Sequence, residues 1–101
     1  KRLHLDIPVI VLNNQILAYQ KDAEDVIFGA HTDAVDFEPV DHAGLARACG
    51  CDGVRIERAK DLAPAIDRAL ALSGPSVLDV ITDPEARPPV TFYEGHFTSP
   101  F

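Results

Sequence analysis

The spacing of apolar positions changes several times along this chain, and each change marks an element. Ile7-Pro8-Val9-Ile10-Val11-Leu12 is an unbroken apolar run, the pattern of a strand buried on both faces of a parallel sheet. The segment after it is made mostly of good helix formers and predicts a short helix over 16–25, although Ile16, Leu17, Tyr19 and Ala23 do not make a clean stripe. Residues 28–40 have no regular period and carry Gly29, Pro39 and scattered acids, so they read as a loop long enough to have a function of its own. Asp41 reads as the N-cap of a helix near 42–49, with Gly50 where a helix terminator belongs. Residues 53–58 alternate apolar and polar, as a strand with one wetter face does. From Asp61, the helical spacing of Leu62, Ile66, Ala69 and Leu70 predicts a helix over 61–72, with Pro64 in its first turn and Gly74-Pro75 as its stop. Residues 76–82 form the third strand. Beyond Asp83, Pro84, Pro88, Pro89 and Pro100 punctuate an extended tail that ends at Phe101.

Strands alternating with helices predict an α/β fold, a parallel sheet with flanking helices and crossover connections. Three strands are few for a self-sufficient doubly wound sheet. The chain also lacks methionine and opens on Lys1, directly before a core strand. Both features lead to the expectation that it is part of a longer protein.

Charge narrows the function classes. Nine basic against sixteen acidic residues give a net charge of −7 with no basic cluster, which argues against nucleic-acid binding. The longest apolar run is far too short to cross a bilayer. Cys49 and Cys51 are separated by one residue, which is not the Cys-x-x-Cys spacing of zinc or redox sites. Reduced thiols and a cytoplasmic location are expected.

Candidate chemistry is concentrated at Asn13 and Asn14. Ligands of open parallel sheets bind beyond the carboxyl ends of the strands, and two carboxamides there offer hard neutral oxygens and amide donors. Asn is also an ordinary turn residue. His31 with Asp33 could be a base with an orienting carboxylate, but no nucleophile motif accompanies them, and loop polarity is the simpler reading. His42 reads as a surface residue in the first turn of a helix. Cys49 flanks a helix C-terminus, a poor place for a thiolate. Asp79, inside an otherwise apolar strand, is unusual: backbone at the sheet edge could satisfy it, or it could face a part of the molecule that lies outside this chain.

Val9-Ile10-Val11-Leu12-Asn13-Asn14-Gln15 resembles the closing half of the thiamine-diphosphate motif, which opens with Gly-Asp-Gly and ends some thirty residues later in a hydrophobic strand and Asn-Asn. Asp41-His42-Ala43-Gly44-Leu45-Ala46-Arg47-Ala48-Cys49-Gly50 resembles the D-x-x-x-L-A-x-A-x-G helix of the same enzymes. Asp61 to Ala71 and Gly74-Pro75-Ser76-Val77-Leu78-Asp79-Val80 are similar to the helix and strand that end their diphosphate-binding domain. The likeness covers nearly the whole chain in order, and is nearest to acetolactate synthase large subunits.

The resemblance implies that residues 1–83 are the C-terminal part of a thiamine-diphosphate-binding fold and that 84–101 are a tail. It implies thiamine diphosphate and Mg²⁺ as cofactors. The side chain of Asn14 and the carbonyl of Ile16 would be Mg²⁺ ligands, with Asn13 supporting the turn. Gln15, Ala18 and Tyr19 would complete the cofactor-binding set, Tyr19 and Gln20 lying toward the thiazolium and substrate. Ala18 stands where many relatives carry Gly. The intact enzyme would decarboxylate a 2-oxo acid such as pyruvate and ligate it to a second 2-oxo acid, working as a homo-oligomer with its remaining domains. The Gly-Asp-Gly half, with its Asp ligand, and the glutamate that activates the cofactor are not in this chain, so the chain alone is expected to be inactive and no catalytic residue is assigned to it. Two alternatives stay open: another decarboxylase, carboligase or oxidase of the superfamily, and a non-catalytic α/β module that binds a partner through its acidic face and aromatic tail.

Overall fold

In the computed structural model, residues 1–86 are described, so the expected tail over 84–101 lies almost wholly outside the described residues. Strand β1 (Pro8–Asn13) leads to helix α1 (Ala18–Phe28), a 3-10 turn at Asp33–Val35, helix α2 (His42–Ala48) and strand β2 (Asp52–Ile56). A 3-10 turn at Ala59–Asp61 then opens helix α3 (Leu62–Ala71), and strand β3 (Ser76–Ile81) follows. All six elements expected from the hydrophobic pattern are present, within a few residues at their ends. The described residues divide into two compact units, Lys1–Asn13 with Val40–Thr82, and Asn14–Pro39 with 83–86.

The first unit holds the sheet. Its order is β1-β3-β2, with β3 pairing in parallel to both neighbours. Pro8 lies opposite Ser76 and Asn13 opposite Ile81, while on the other side Asp52 lies opposite Ser76 and Ile56 opposite Val80. Parallel pairing puts the carboxyl ends of all three strands on one side, the side where Asn13 sits. The alternation of β3 decides which face each residue serves. Leu78 and Val80 join Ile56 and Ala69 in the core, against which Val54, Leu62, Ala65 and Ile66 pack. Helix α3 thus packs Leu62, Ile66 and Ala69 on that face, whereas Leu70, expected in the same stripe, is 68% exposed because it falls at the edge of the face that meets the sheet.

Helix α2 packs through Ala43 and Ala46, both buried. Its N-cap is Asp41, whose Oδ1 accepts from the Gly44 amide at 2.7 Å. Gly53 of β2 lies directly beneath its first turn: a Cβ at that position would collide with the backbone carbonyl, carbonyl carbon and Cα of Ala43. The expected N-cap at Asp61 takes another form, because its carboxylate accepts from Arg58 Nε at 2.8 Å and makes no capping bond.

One expectation is corrected. β1 is not buried on both faces: Val9 and Ile10 are about half exposed and Leu12 is 71% exposed. β1 lies at the edge of a sheet whose central strand is β3, and among the described residues no strand pairs with its outer edge. Cys49 and Cys51 carry no disulfide. No helix among the described residues is long and apolar enough to cross a membrane.

The second unit is built on α1. Gly29, at φ 77°, ends the helix with its amide on the Asp25 carbonyl, a left-handed terminator. The helix starts two residues later and ends three residues later than expected, and its faces are inverted. Lys21 and Asp22 are buried, whereas Tyr19, Ile27 and Phe28 are exposed, which is why its apolar positions make no stripe. The segment after it is more than a connector. Val35 is 1% exposed, and Asp36 bridges antiparallel to Ile16.

Candidate functional site

β1 ends on a residue held from three directions. Asn13, 6% exposed, donates through Nδ2 to Asp79 Oδ1 at 2.9 Å, and the same nitrogen lies 3.3 Å from His42 Nδ1. His42 Nδ1 also lies 3.4 Å from Asp79 Oδ1, so the ring nitrogen faces both the amide and the carboxylate. The carbonyl of Asn13 accepts from the Thr82 amide at 3.0 Å, just past the end of β3. Asp79 is completely buried, and its second oxygen accepts from the His42 backbone amide at 3.2 Å. The Asp79 carboxylate therefore joins the end of β1 to the start of α2. A buried carboxylate is tolerated only where donors of this kind replace water.

The next three residues form a tight turn in the second unit. Gln15 has φ 58°, a left-handed conformation uncommon outside glycine and a frequent mark of functional turns. The Asn14 Oδ1 accepts from the Ile16 amide at 3.3 Å, which closes an Asx-turn. On either side of Ile16, Phe37 donates to the Gln15 carbonyl at 3.0 Å and Leu17 donates to the Val35 carbonyl at 2.7 Å. Ile16 and Asp36 are thus a non-hydrogen-bonded pair, and the Ile16 N–H and C=O turn away from the facing segment. The turn holds an amide oxygen with a second lone pair and a backbone carbonyl directed outward.

Those donors are neutral hard oxygens, the type that Mg²⁺ accepts as part of an octahedron completed by other ligands. They fit a share in such a site. Among the described residues no group of three or more His, Cys, Asp or Glu is arranged to hold a metal ion. Asn14, Gln15 and Ile16 line a cleft of 460 Å³ with Lys21, Asp36 and Glu85 among its other walls. Ala18 and Tyr19 are not part of that lining. Ala18 is the first residue of α1, and Tyr19 is 67% exposed. Gln20 donates to Glu24 at 2.8 Å.

The polar groups of α1 organise the cleft's far wall. Lys21 Nζ lies 3.1 Å from Asp25 and 3.5 Å from Glu85, and the hydrogen bond to Asp25 raises its pKa. His31 pairs with Asp25 at 2.7 Å, not with the neighbouring Asp33, so the two residues considered as a base and its orienter are not brought together. Glu24 accepts from the Thr32 amide and hydroxyl at 2.8 and 3.2 Å. The pKa of Asp25 is lowered, first by its bond from His31 and then by Lys21, and that of Glu24 is lowered, first by Gln20 and then by the Thr32 amide.

Depressed carboxyl pKa values contribute stability that is present above the ordinary carboxylate range and lost as pH falls through the folded-state values. The raised Lys21 value sets the opposite limit, at alkaline pH. The loop that begins at Thr32 is therefore expected to stay clasped to α1 at neutral pH and to loosen only in acid, below the ordinary carboxylate range. Following the Thr32 amide resonance through an acid titration checks this: its shift should move with the titration of Glu24. A titration at or above the ordinary glutamate value would show that the clasp contributes nothing.

Sequence reasoning found Asn13 and Asn14, and the resemblance gave them different roles, but it missed that Asn13 is held by Asp79 and His42. The signal was Asp79, a charge in the middle of an apolar strand. His42, expected at the surface, is engaged through its ring and its backbone by Asn13 and Asp79, because the crossover from β1 brings the start of α2 to the end of β3.

Known proteins bear on this arrangement. The family described as thiamine pyrophosphate enzyme, C-terminal TPP binding domain, matches residues 1–80. A provisionally named thiamine pyrophosphate-containing protein of Bacillus subtilis, YdaP, is 35% identical over 77 residues, covering 76% of this chain and 13% of its own length. A provisionally named acetolactate synthase large subunit of Mycobacterium tuberculosis, IlvB2, is 43% identical over 49 residues, 48% of this chain and 9% of the relative. The acetolactate synthase large subunit of Cyanidium caldarium is 30% identical over 80 residues, 76% of this chain and 14% of the relative. The chain thus matches only a small part of the length of each relative. With three parallel strands, flanking helices and a family match over most of its residues, the chain belongs to the thiamine pyrophosphate enzymes, in their C-terminal TPP-binding domain.

Proposed function

We propose that this chain supplies part of the metal and diphosphate site of a thiamine-diphosphate-dependent enzyme of acetolactate synthase type. The observation that carries this reading is the Asn14–Ile16 turn, with an amide oxygen and an outward carbonyl at the end of the first strand of a parallel sheet. Asn14 and the Ile16 carbonyl would share in Mg²⁺, and the diphosphate would complete much of its shell. Asn13 supports the turn from within the sheet. Gln15, Ala18 and Tyr19 are the remaining cofactor-side residues. Residues 1–83 are read as part of the cofactor domain and 84–101 as its tail.

Thiamine diphosphate, when bound, supplies the stabilisation of a carbanion that 2-oxo acid decarboxylation requires. In this reading the chain binds and orients, and no catalytic residue is assigned to it. The likeness to two acetolactate synthase large subunits favours ligation of two 2-oxo acids, pyruvate among them, over simple decarboxylation. The remaining domains, homo-oligomeric assembly and a cytoplasmic location belong to the same reading.

Calorimetric titration of the full-length gene product with thiamine diphosphate and Mg²⁺ tests the binding, and product analysis after incubation with pyruvate tests the reaction. Acetolactate is expected; acetaldehyde, or an oxidised product, would assign another reaction of the superfamily, and absence of cofactor binding would leave the non-catalytic module. The isolated chain is expected to show no saturable binding at micromolar cofactor, because it holds one amide oxygen and one carbonyl for the cation on an acidic chain. Micromolar binding by the isolated chain would show the site to be self-contained.

A further inference from the structure

The geometry points to Asp79 as the positioning residue of this cofactor site, acting through Asn13; the inference rests on the reading that the Asn14–Ile16 turn takes Mg²⁺ and thiamine diphosphate. Asp79 is completely buried on the central strand, where a carboxylate has no packing advantage over the valines and leucine beside it. What it does have is two oxygens aimed at two different elements. Oδ1 accepts from Asn13 Nδ2 at 2.9 Å and Oδ2 from the His42 amide at 3.2 Å. Asn13 Nδ2 also contacts His42 Nδ1 at 3.3 Å, and the Asn13 carbonyl accepts from Thr82. The residue from which Asn14 departs is therefore fixed by side chain and backbone together, and the Asp79 carboxylate is common to both of the elements that fix its side chain.

The two acceptor oxygens explain why the residue is Asp and not Asn. In Asp79→Asn one oxygen becomes an NH₂ group, which would face a donor, either Asn13 Nδ2 or the His42 N–H. One of the two bonds is lost and a buried donor is left against another donor. Groups that orient a metal ligand without touching the metal typically change affinity by about 10- to 100-fold when removed; Asp79 acts one residue further back, by fixing Asn13, from which Asn14 departs. Asp79 touches neither of the proposed metal ligands, so its effect must pass through Asn13.

A double-mutant cycle on the full-length protein tests this, read by calorimetric titration with thiamine diphosphate and Mg²⁺ and by the melting temperature without cofactor. Asp79→Asn and Asn13→Ala are each expected to weaken binding about 10- to 100-fold, and the double variant should be within about twofold of the weaker single one. Val80→Ala, which removes a core side chain on the opposite face of the same strand, should lower the melting temperature and leave affinity within about twofold of wild type. Affinity unchanged in Asp79→Asn, losses that multiply in the double variant, or an equal loss in Val80→Ala would overturn the inference while leaving the cofactor reading intact. A wild-type protein that binds no thiamine diphosphate would overturn both. If Asp79→Asn does not fold, Asn13→Ala decides: unchanged affinity refutes the positioning role, and a tenfold loss with the Asp79–His42 bond still present supports it.

Discussion

Gly53→Ala is expected to destabilise the sheet unit by about 2–3 kcal/mol, the upper part of the range for overpacking a rigid contact. A Cβ at this position would meet the carbonyl oxygen, carbonyl carbon and Cα of Ala43. All three are backbone atoms, so no side chain can swing aside, and relief requires α2 to move off β2. Ala43 is fully buried, so that movement also opens packing on its other sides. The displacement would start one residue from His42, whose amide and ring hold Asp79 and Asn13. The substitution is therefore expected to weaken cofactor affinity in the intact protein as well as lower its melting temperature, by roughly 10 °C for a domain of this size. Thermal unfolding with and without thiamine diphosphate measures both. A variant that melts with the wild type would show that α2 and β2 are not in close contact at this point.

β2 and α3 were legible because each has its own period. The alternation over 53–58 and the stripe of Leu62, Ile66 and Ala69 depend only on neighbours in sequence, and they predicted β2 and α3 closely. The surroundings of β1 were not legible. An unbroken apolar run says that water is unwelcome on both faces, but it does not say what lies there, and the β1-β3-β2 order leaves Leu12 uncovered among the described residues. Helix α1 was visible as a set of helix formers, yet its buried Lys21 depends on Asp25 and Glu85, and Glu85 lies 64 positions away.

The site shows the same division. Asn13 and Asn14 stand out in sequence as a pair at a strand end, and the resemblance gives them different roles. What holds Asn13 is Asp79, 66 positions beyond it. The buried side chain faces the carboxylate, and its neighbour closes a turn with the Ile16 amide. Asp79 was recognisable as an oddity in a strand, and a charge that cannot be left unpaired inside a sheet is the signal that could have placed it beside the site.

That division gives Asn14→Ala a different signature from any substitution of Asn13. Asn14 contributes one hydrogen bond to the folded chain, to the Ile16 amide at 3.3 Å, a contact worth about 0.5–1 kcal/mol at most. It is half-buried and has no part in the core cluster. Its loss should therefore shift the melting temperature of the cofactor-free protein by only a few degrees. The effect on Mg²⁺-dependent binding of thiamine diphosphate should be far larger, about 100-fold or more. Mg²⁺ demands a nearly regular octahedron, and the methyl group of alanine offers it no oxygen. Asn14→Asp keeps an oxygen in the same position and an acceptor for the Ile16 amide, so it should recover most of the lost affinity. Parallel calorimetric titrations of the three full-length proteins, with melting curves recorded without cofactor, give the comparison directly. If Asn14→Ala loses stability and affinity in the same proportion, or if Asn14→Asp recovers stability but no affinity, the residue holds the turn and the metal is held elsewhere.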